Sequence, residues 1–239
     1  MEYETRLLRR ETVAEGTVAF YFERPAGFAF EAGQNVTLSL IDPPESDSLG
    51  TSRTFTLASA PHEADLMVAT RMRDTAFKRI LRGAPLGARL KLDGPAGSMV
   101  LGADPKKPVV FLAGGIGVTP FLAMARHAAA QRLTHRIHLF YSNRRPEDAA
   151  FLGELRMLER TNPRFRFIPT MTQMDKSSLQ WDGSTGPIGM NLLSPMLGNP
   201  KDAVYYFAGP PSMAMSMYDL LQRLGVAADD MQSEEFYGY

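Results

Sequence analysis

The sequence predicts two domains in series: an antiparallel Greek-key β-barrel over residues 1–103, then an α/β domain with a mostly parallel sheet over residues 104–239. Three observations predict it. The length of 239 residues exceeds what one small core needs and suits two domains of ordinary size. The first hundred residues alternate apolar and polar side chains in short runs broken by Gly and Pro, which is the period of half-buried strands. Beyond Lys106 the strands become nearly all apolar and are spaced by helix-length segments, as in a sheet covered on both faces.

Each element can be justified in turn. Residues 3–10 alternate, and GTVAFYFERP (Gly16 to Pro25) supplies aromatic and β-branched residues before a Pro stop. NVTLSLI (Asn35 to Ile41) is a third strand, followed by a polar loop from Asp42 to Ser52. SRTFTLAS (Ser52 to Ser59), DLMVATRM (Asp65 to Met72) and ARLKLDGP (Ala88 to Pro95) continue the pattern, with one short helix at about Ala76 to Arg82. A linker at Leu101 to Lys106 then leads to KKPVVFLAGG (Lys106 to Gly115), a buried strand ending in glycines. TPFLAMARHAAAQR (Thr119 to Arg132) is a helix with Pro120 in its first turn. The alternation repeats with a strand at Arg136 to Ser142, a helix at Pro146 to Glu159, and a strand at Arg164 to Met171. A loop around Trp181, a strand at Ala203 to Pro210 and a helix at Pro211 to Leu224 complete it.

Composition removes several functions. The chain carries 26 basic and 26 acidic side chains, with no hidden excess in either half, which argues against a nucleic-acid partner. There is no cysteine, so thiolate catalysis and cysteine-held zinc or iron–sulfur centres are excluded for this chain. Of its four histidines, only His135 and His138 lie close in sequence, and a strand would face them to opposite sides, so no metal site is expected. Met1 to Arg10 is charged with no apolar run after it, and no segment reaches the ~20 residues of a membrane helix. The expectation is a cytoplasmic chain with no membrane insertion.

The glycines carry the first chemical signal. GGIGVTP (Gly114 to Pro120) stands where a buried strand gives way to a helix, where free amides can meet an anion and glycine lets a phosphate approach. The alternative is a tight turn with no ligand. AGPP (Ala208 to Pro211) ends a later strand, and in a parallel sheet both ends would face one crevice, suited to a dinucleotide. YSNRR (Tyr141 to Arg145) places two arginines after the second strand, to pair a phosphate or simply to solvate a loop. In SRTFT, Arg53 and Phe55 share one side of a strand and Thr54 and Thr56 the other; a surface ion pair and a core ring are their plain readings. Arg71, Arg73, Lys78, Arg79 and Arg82 are spaced as a basic docking surface for an acidic protein.

These pieces, with DTAFKRIL, DGPAG, WDGSTGPI, YYFAGPPSM and the C-terminal EEFYGY, occur in an order that resembles the ferredoxin–NADP reductase superfamily over essentially the whole chain. The likeness is to its bacterial FAD- and NAD(P)-binding oxidoreductases without a fused iron–sulfur domain. The resemblance implies that Arg53 clamps the FAD pyrophosphate, that Phe55 lies against the isoalloxazine, and that Thr54 and Thr56 complete the motif, with Thr56 near flavin N5. A second flavin segment falls on Val68, Ala69 and Thr70 and on Asp74, Thr75, Ala76 and Phe77. Phe55 replaces the more frequent Tyr and loses one hydroxyl donor, and Asp74 stands where many relatives have Gly or Ser.

In the second half the resemblance assigns Gly114, Gly115, Gly117 and Thr119 to the nucleotide pyrophosphate, and Gly209, Pro210 and Met213 to the nicotinamide side. Ala208 stands where the family usually has Cys. Ser142, Arg144 and Arg145 lie where a ribose 2′ group is read, which leans toward NADPH over NADH. Phe236 matches an aromatic at the exposed flavin face, able to move aside for nicotinamide, or else a tail anchor. Glu235 matches a carboxylate that handles protons near N5. Tyr239 has two readings, a ring-stacking group or a tail in solvent. The implied activity is hydride exchange between NAD(P)H and FAD, with electrons passed to a separate ferredoxin, flavodoxin or oxygenase component. The alternatives are an electron-transfer subunit with little turnover of its own and a non-enzymatic dinucleotide sensor.

Overall fold

A computed structural model describes residues 1–236, so Tyr239 lies outside the described residues. Its first half is a six-stranded sheet built from β1 (Glu2–Ala14), β2 (Thr17–Phe22), β3 (Asn35–Leu40), β4 (Ser52–Thr56), β5 (Leu66–Arg71) and β6 (Arg89–Ala96). The order is β4-β3-β6-β1-β2-β5 and every neighbouring pair is antiparallel. The sheet curls until β4 and β5 meet, and just past β4 the Ala58 N–H donates to the Met67 carbonyl at 2.7 Å. β1 is longer than its alternation suggested. Residues 2–6 pair with β6 and residues 7–14 with β2, and a register shift between Leu7 and Arg9 bends the strand so that it serves both. Phe20, Phe22, Val36, Leu38, Leu90 and Leu92 fill the interior, joined by Phe77 and Leu81 of α1 (Ala76–Gly83).

The second half holds β7 (Val109–Gly114), β8 (Ile137–Asn143), β9 (Phe165–Met171), β10 (Ser184–Thr185), β11 (Val204–Gly209) and β12 (Met231–Glu235). They lie in the order β10-β9-β8-β7-β11-β12, all parallel. Pleat alternation divides the sheet's side chains. Phe111, Leu139 and Tyr141 face α2 (Thr119–Ala130) and α3 (Leu152–Thr161); Val110, Leu112 and Phe140 face α4 (Met190–Leu197) and α5 (Pro211–Arg223). The chain leaves β7 toward β8 and later returns to its other side as β11. The order therefore reverses at β7, which opens a crevice at the strand C-termini.

Three expectations change. The helix expected from Pro146 is a 3-10 turn at Pro146–Asp148, then a break at Phe151 (φ 61°), and α3 starts only at Leu152. α4 escaped notice because Pro195 sits inside it, and β12 because MQSEE has no apolar alternation. β12 is an edge strand held by its backbone register with β11. Among the described residues no helix is long and apolar enough to cross a membrane, and no three metal-ligating side chains gather.

The halves are locked together by ion pairs and by a common core. Arg71 of β5 reaches Asp148 at 2.7 Å, and Arg145 binds both Asp148 (3.0 Å) and Glu15 of the β1–β2 turn (2.8 Å). Burial pushes the Asp148 carboxyl up, but the hydrogen bonds and charge of Arg145, with the charge of Arg71, hold it below its ordinary value. Ala19, Ala58, Met67 and Ala69 of the first half pack in one cluster with Phe111, Val118, Phe121 and Met124 of the second.

Candidate functional site

Two concavities meet between the sheets. A groove at the barrel mouth is lined by Arg53, Thr54, Phe55 and Thr56 of β4, Ala69, Thr70 and Arg71 at the end of β5, and Lys78, Ile116 and Phe236. A cleft of about 630 Å³ lies over the C-terminal ends of β7, β8 and β11, and Arg71 borders both spaces. Part of the set picked from each half of the sequence lines these two spaces, Arg53, Thr54, Phe55 and Thr56 the groove and Gly114, Gly115, Ser142 and Arg144 the cleft.

In the groove, Arg53 and Phe55 share a side of β4 as the alternation requires, and both meet Phe77: the guanidinium is 5.3 Å and the Phe55 ring 5.8 Å from its centroid. Thr56 is buried, and its hydroxyl has no hydrogen-bond partner among the described residues although it faces the groove. A buried polar atom without a partner costs about 1–3 kcal/mol, and a bound group that hydrogen-bonded the Thr56 hydroxyl would remove that cost. Lys78 is half-buried; burial, with the nearby charges of Arg73 and Arg53, pushes its ammonium down to about 8. Its Nζ donates to the Arg71 carbonyl at 2.8 Å and forms no ion pair with a carboxylate among the described residues. A polar hydroxyl, aromatic rings and clustered cations fit a flavin carrying a diphosphate.

Some candidates sit elsewhere. Val68 and Phe77 point into the barrel core, so only their backbones can serve a ligand. Asp74 is exposed and pairs with Arg79. Thr75 caps α1, its hydroxyl accepting the Lys78 N–H at 3.3 Å, and Ala76 is buried behind it. Thr119 spends its hydroxyl on the Ile116 carbonyl (3.1 Å) and is a structural cap. Of the basic residues spaced as a docking surface, Arg71 is tied to Asp148, Arg79 to Glu45 and Asp74, and Lys78 is half-buried, while Arg73 and Arg82 are exposed.

The cleft brings the two glycine loops together. A Cβ on Gly209 would stand 3.2 Å from Gly114 Cα, and the Met213 sulfur lies over both residues. Gly115 takes φ 53° to enter the turn at Gly115–Val118. Gly117 lies flat on β11, where a Cβ would meet the Ala208 carbonyl oxygen at 2.3 Å. Ser142, Arg144 and Pro210 also line the cleft, whereas Arg145 is consumed by Asp148 and Glu15. Sequence reasoning missed the wall formed by Pro187, Ile188 and Gly189 beyond β10, and it missed Arg223 in the last turn of α5. Neither Arg144 nor Arg223 forms an ion pair among the described residues.

The C-terminal strand carries another residue that was missed. Glu234 and Glu235 are neighbours on β12 and face opposite sides; Glu235 is exposed, while Glu234 turns inward. One Glu234 oxygen accepts from Asn35 Nδ2 at 3.4 Å, the other is buried with no partner among the described residues, and Asn35 is the β3 residue in register with Thr56. Burial raises the Glu234 carboxyl above its ordinary value, outweighing the hydrogen bond from Asn35. Phe236 follows, its N–H donating to the Gly209 carbonyl at 3.0 Å, and its ring borders the groove.

A prediction follows with its sign. A raised carboxyl costs the fold nothing below the unfolded-state value, and the cost grows as pH rises toward the folded one. Glu234→Gln should therefore melt at the same temperature as wild type near pH 4 and at a higher one near pH 8. Thermal melts of the flavin-free chain at both pH values check it; a gap that narrows with rising pH refutes the assignment.

Residues 111–219 match the family model described as the oxidoreductase NAD-binding domain. The chain is similar to reductase component 1 of terephthalate 1,2-dioxygenase from Comamonas sp, 27% identical over 87% of this chain and 59% of that protein. It is also similar to the reductase component of propane 2-monooxygenase from Rhodococcus jostii, 26% identical over 98% of this chain and 64% of that protein. It thus spans about 60% of the length of these curated relatives. In fold it is similar to a ferredoxin NADP+ reductase from Neisseria gonorrhoeae with bound FAD and NADP, with a TM-score of 0.82 over 98% of both chains at 21% identity. The family match is confined to residues 111–219, and the chain as a whole shares the two-domain fold of the Neisseria gonorrhoeae reductase.

Proposed function

We propose that this chain is the flavin- and nucleotide-binding module of an NAD(P)H-dependent oxidoreductase. FAD would lie in the groove at Arg53 and Thr56, and NADPH or NADH in the cleft at Gly114, Gly115 and Gly117. The observation that carries the reading is the meeting of the two concavities at Arg71, with an unpartnered Thr56 hydroxyl on one side and converging glycine loops on the other. FAD supplies the redox chemistry: two electrons accepted together as hydride and released singly. The protein's part is geometric and electrostatic. Arg53 and the α1 amides hold negative charge, and Phe55 and Phe236 border the ring site. The Gly117 turn brings backbone amides to the cleft, Met213 covers the glycine loops, and Glu234 offers a proton-holding carboxyl on the Thr56 side. The acceptor is a separate protein, and the reductase components among the relatives support an oxygenase or ferredoxin. A cytoplasmic location, with its pyridine nucleotides, goes with this reading.

Anaerobic titration of the FAD-loaded chain with NADPH and NADH tests it, followed in the visible flavin band. Bleaching by either supports hydride transfer despite Ala208. Retained colour with both would favour an electron-transfer subunit fed by another protein. Arg144→Ala should weaken NADPH binding about tenfold, the worth of one charged hydrogen bond, and leave NADH within about twofold. Arg145→Ala should not change the ratio, because its guanidinium is already paired.

A further inference from the structure

The loop between β3 and β4 does something that neither the barrel nor the nucleotide cleft requires. Asp47 points its carboxylate at the start of α1: one oxygen accepts the Ala76 N–H at 2.7 Å, and the other accepts the Leu49 N–H at 3.0 Å and lies 3.4 Å from Arg53 Nη2. Arg53 is wrapped by the same loop, donating to the carbonyls of Leu49, Gly50 and Ser52 at 2.7–3.1 Å. Glu45 pins the loop from the other side through two bonds to Arg79 (3.0 and 2.7 Å). One internal carboxylate thus joins the guanidinium and the helix-start amide that the proposed function gives to the flavin diphosphate. Beside this seat, among the described residues, the buried Thr56 hydroxyl has no hydrogen-bond partner and Lys78 pairs with no carboxylate.

We infer that Asp47 is a placeholder anion: it fills the diphosphate seat of the flavin-free chain, and flavin loading exchanges its carboxylate for the diphosphate as the 42–51 loop swings away. Asp47 thereby sets how tightly the flavin is retained. The inference rests on the FAD reading above and adds a residue to it. Its physical basis is competition for a fixed set of donors. A seat filled by Asp47 nine-tenths of the time weakens apparent diphosphate affinity about tenfold. A purely structural cap predicts the opposite, since removing it would loosen α1 and weaken every ligand of the groove.

The experiment measures binding of FAD, and of riboflavin as the diphosphate-free probe, by flavin fluorescence with the purified flavin-free chain. Wild type, Asp47→Asn and Asp47→Ser are compared; serine keeps a hydroxyl able to cap the Ala76 N–H, so a folded, uncharged variant is assured of one route. Both variants should bind FAD about tenfold tighter than wild type, with riboflavin affinity unchanged within about twofold. FAD affinity equal to or weaker than wild type in both variants overturns the inference alone. An equal gain for FAD and riboflavin also overturns it, because the effect would not reside in the diphosphate. Absence of FAD binding to any of the three chains overturns the flavin reading and this inference with it.

Discussion

Alanine at Gly117 is expected to lower the melting temperature by roughly 6–12 °C, from about 3 kcal/mol of overpacking, and to weaken nucleotide binding by about 100-fold. The added methyl would stand 2.3 Å from the Ala208 oxygen, 2.5 Å from its carbonyl carbon and 2.7 Å from Gly209 N. All three atoms are backbone at the end of β11, which is paired with both β7 and β12 and cannot yield as a flexible side chain would. The turn must lift away from β11, and Gly114 and Gly115 at the cleft wall would shift with it. Gly153→Ala is the matched control. It lies in α3 with nothing within 4 Å of its would-be Cβ and should be neutral or slightly stabilising. Thermal melts and NAD(P)H affinity for the two variants check the contrast; a Gly117→Ala chain that keeps wild-type values would show that the tight approach is not required.

Arg53→Ala should weaken FAD binding by at least about 100-fold, because two charged hydrogen bonds of about 1.5 kcal/mol each are lost at the diphosphate. The same change frees three loop carbonyls, so the flavin-free chain should also lose stability. Arg53→Lys separates the two contributions. It restores a charge without the planar fork and should recover only part of the affinity. Equilibrium FAD binding is the readout, and an alanine variant with unchanged affinity would place the diphosphate elsewhere.

Most of the fold was legible where local periodicity matched its tertiary use. The period-2 segments of the first half became a curled antiparallel sheet, and the apolar runs at Val109–Gly114 and Val204–Gly209 became its parallel counterpart. The misses share a cause: β12 and α4 are defined by what they pack against. MQSEE has no apolar period because backbone pairing to β11 holds it, and Pro195 disguises a helix that docks Leu193 under the sheet. At the site, residue types were readable and side-chain direction was not. Nothing in EEF says which glutamate turns inward until the strand is placed beside β11. RR after β8 does not reveal that Arg145 is spent on Asp148 while Arg144 borders the cleft. Arg223 gave no signal, because it reaches the cleft from the far end of α5.

The seam between the sheets also bears on how such chains can be recombined. On the barrel side Met67 lies among small groups, Ala19, Ala58 and Ala69, set against the bulk of Phe121 and Met124. Shape matching across it, with the Arg71–Asp148 and Arg145–Glu15 pairs, holds the groove and the cleft side by side. A chimera that exchanged the nucleotide half for a homologue's would inherit a foreign surface against those alanines. Whether its two halves docked as they do here would depend on transplanting the seam along with the cassette.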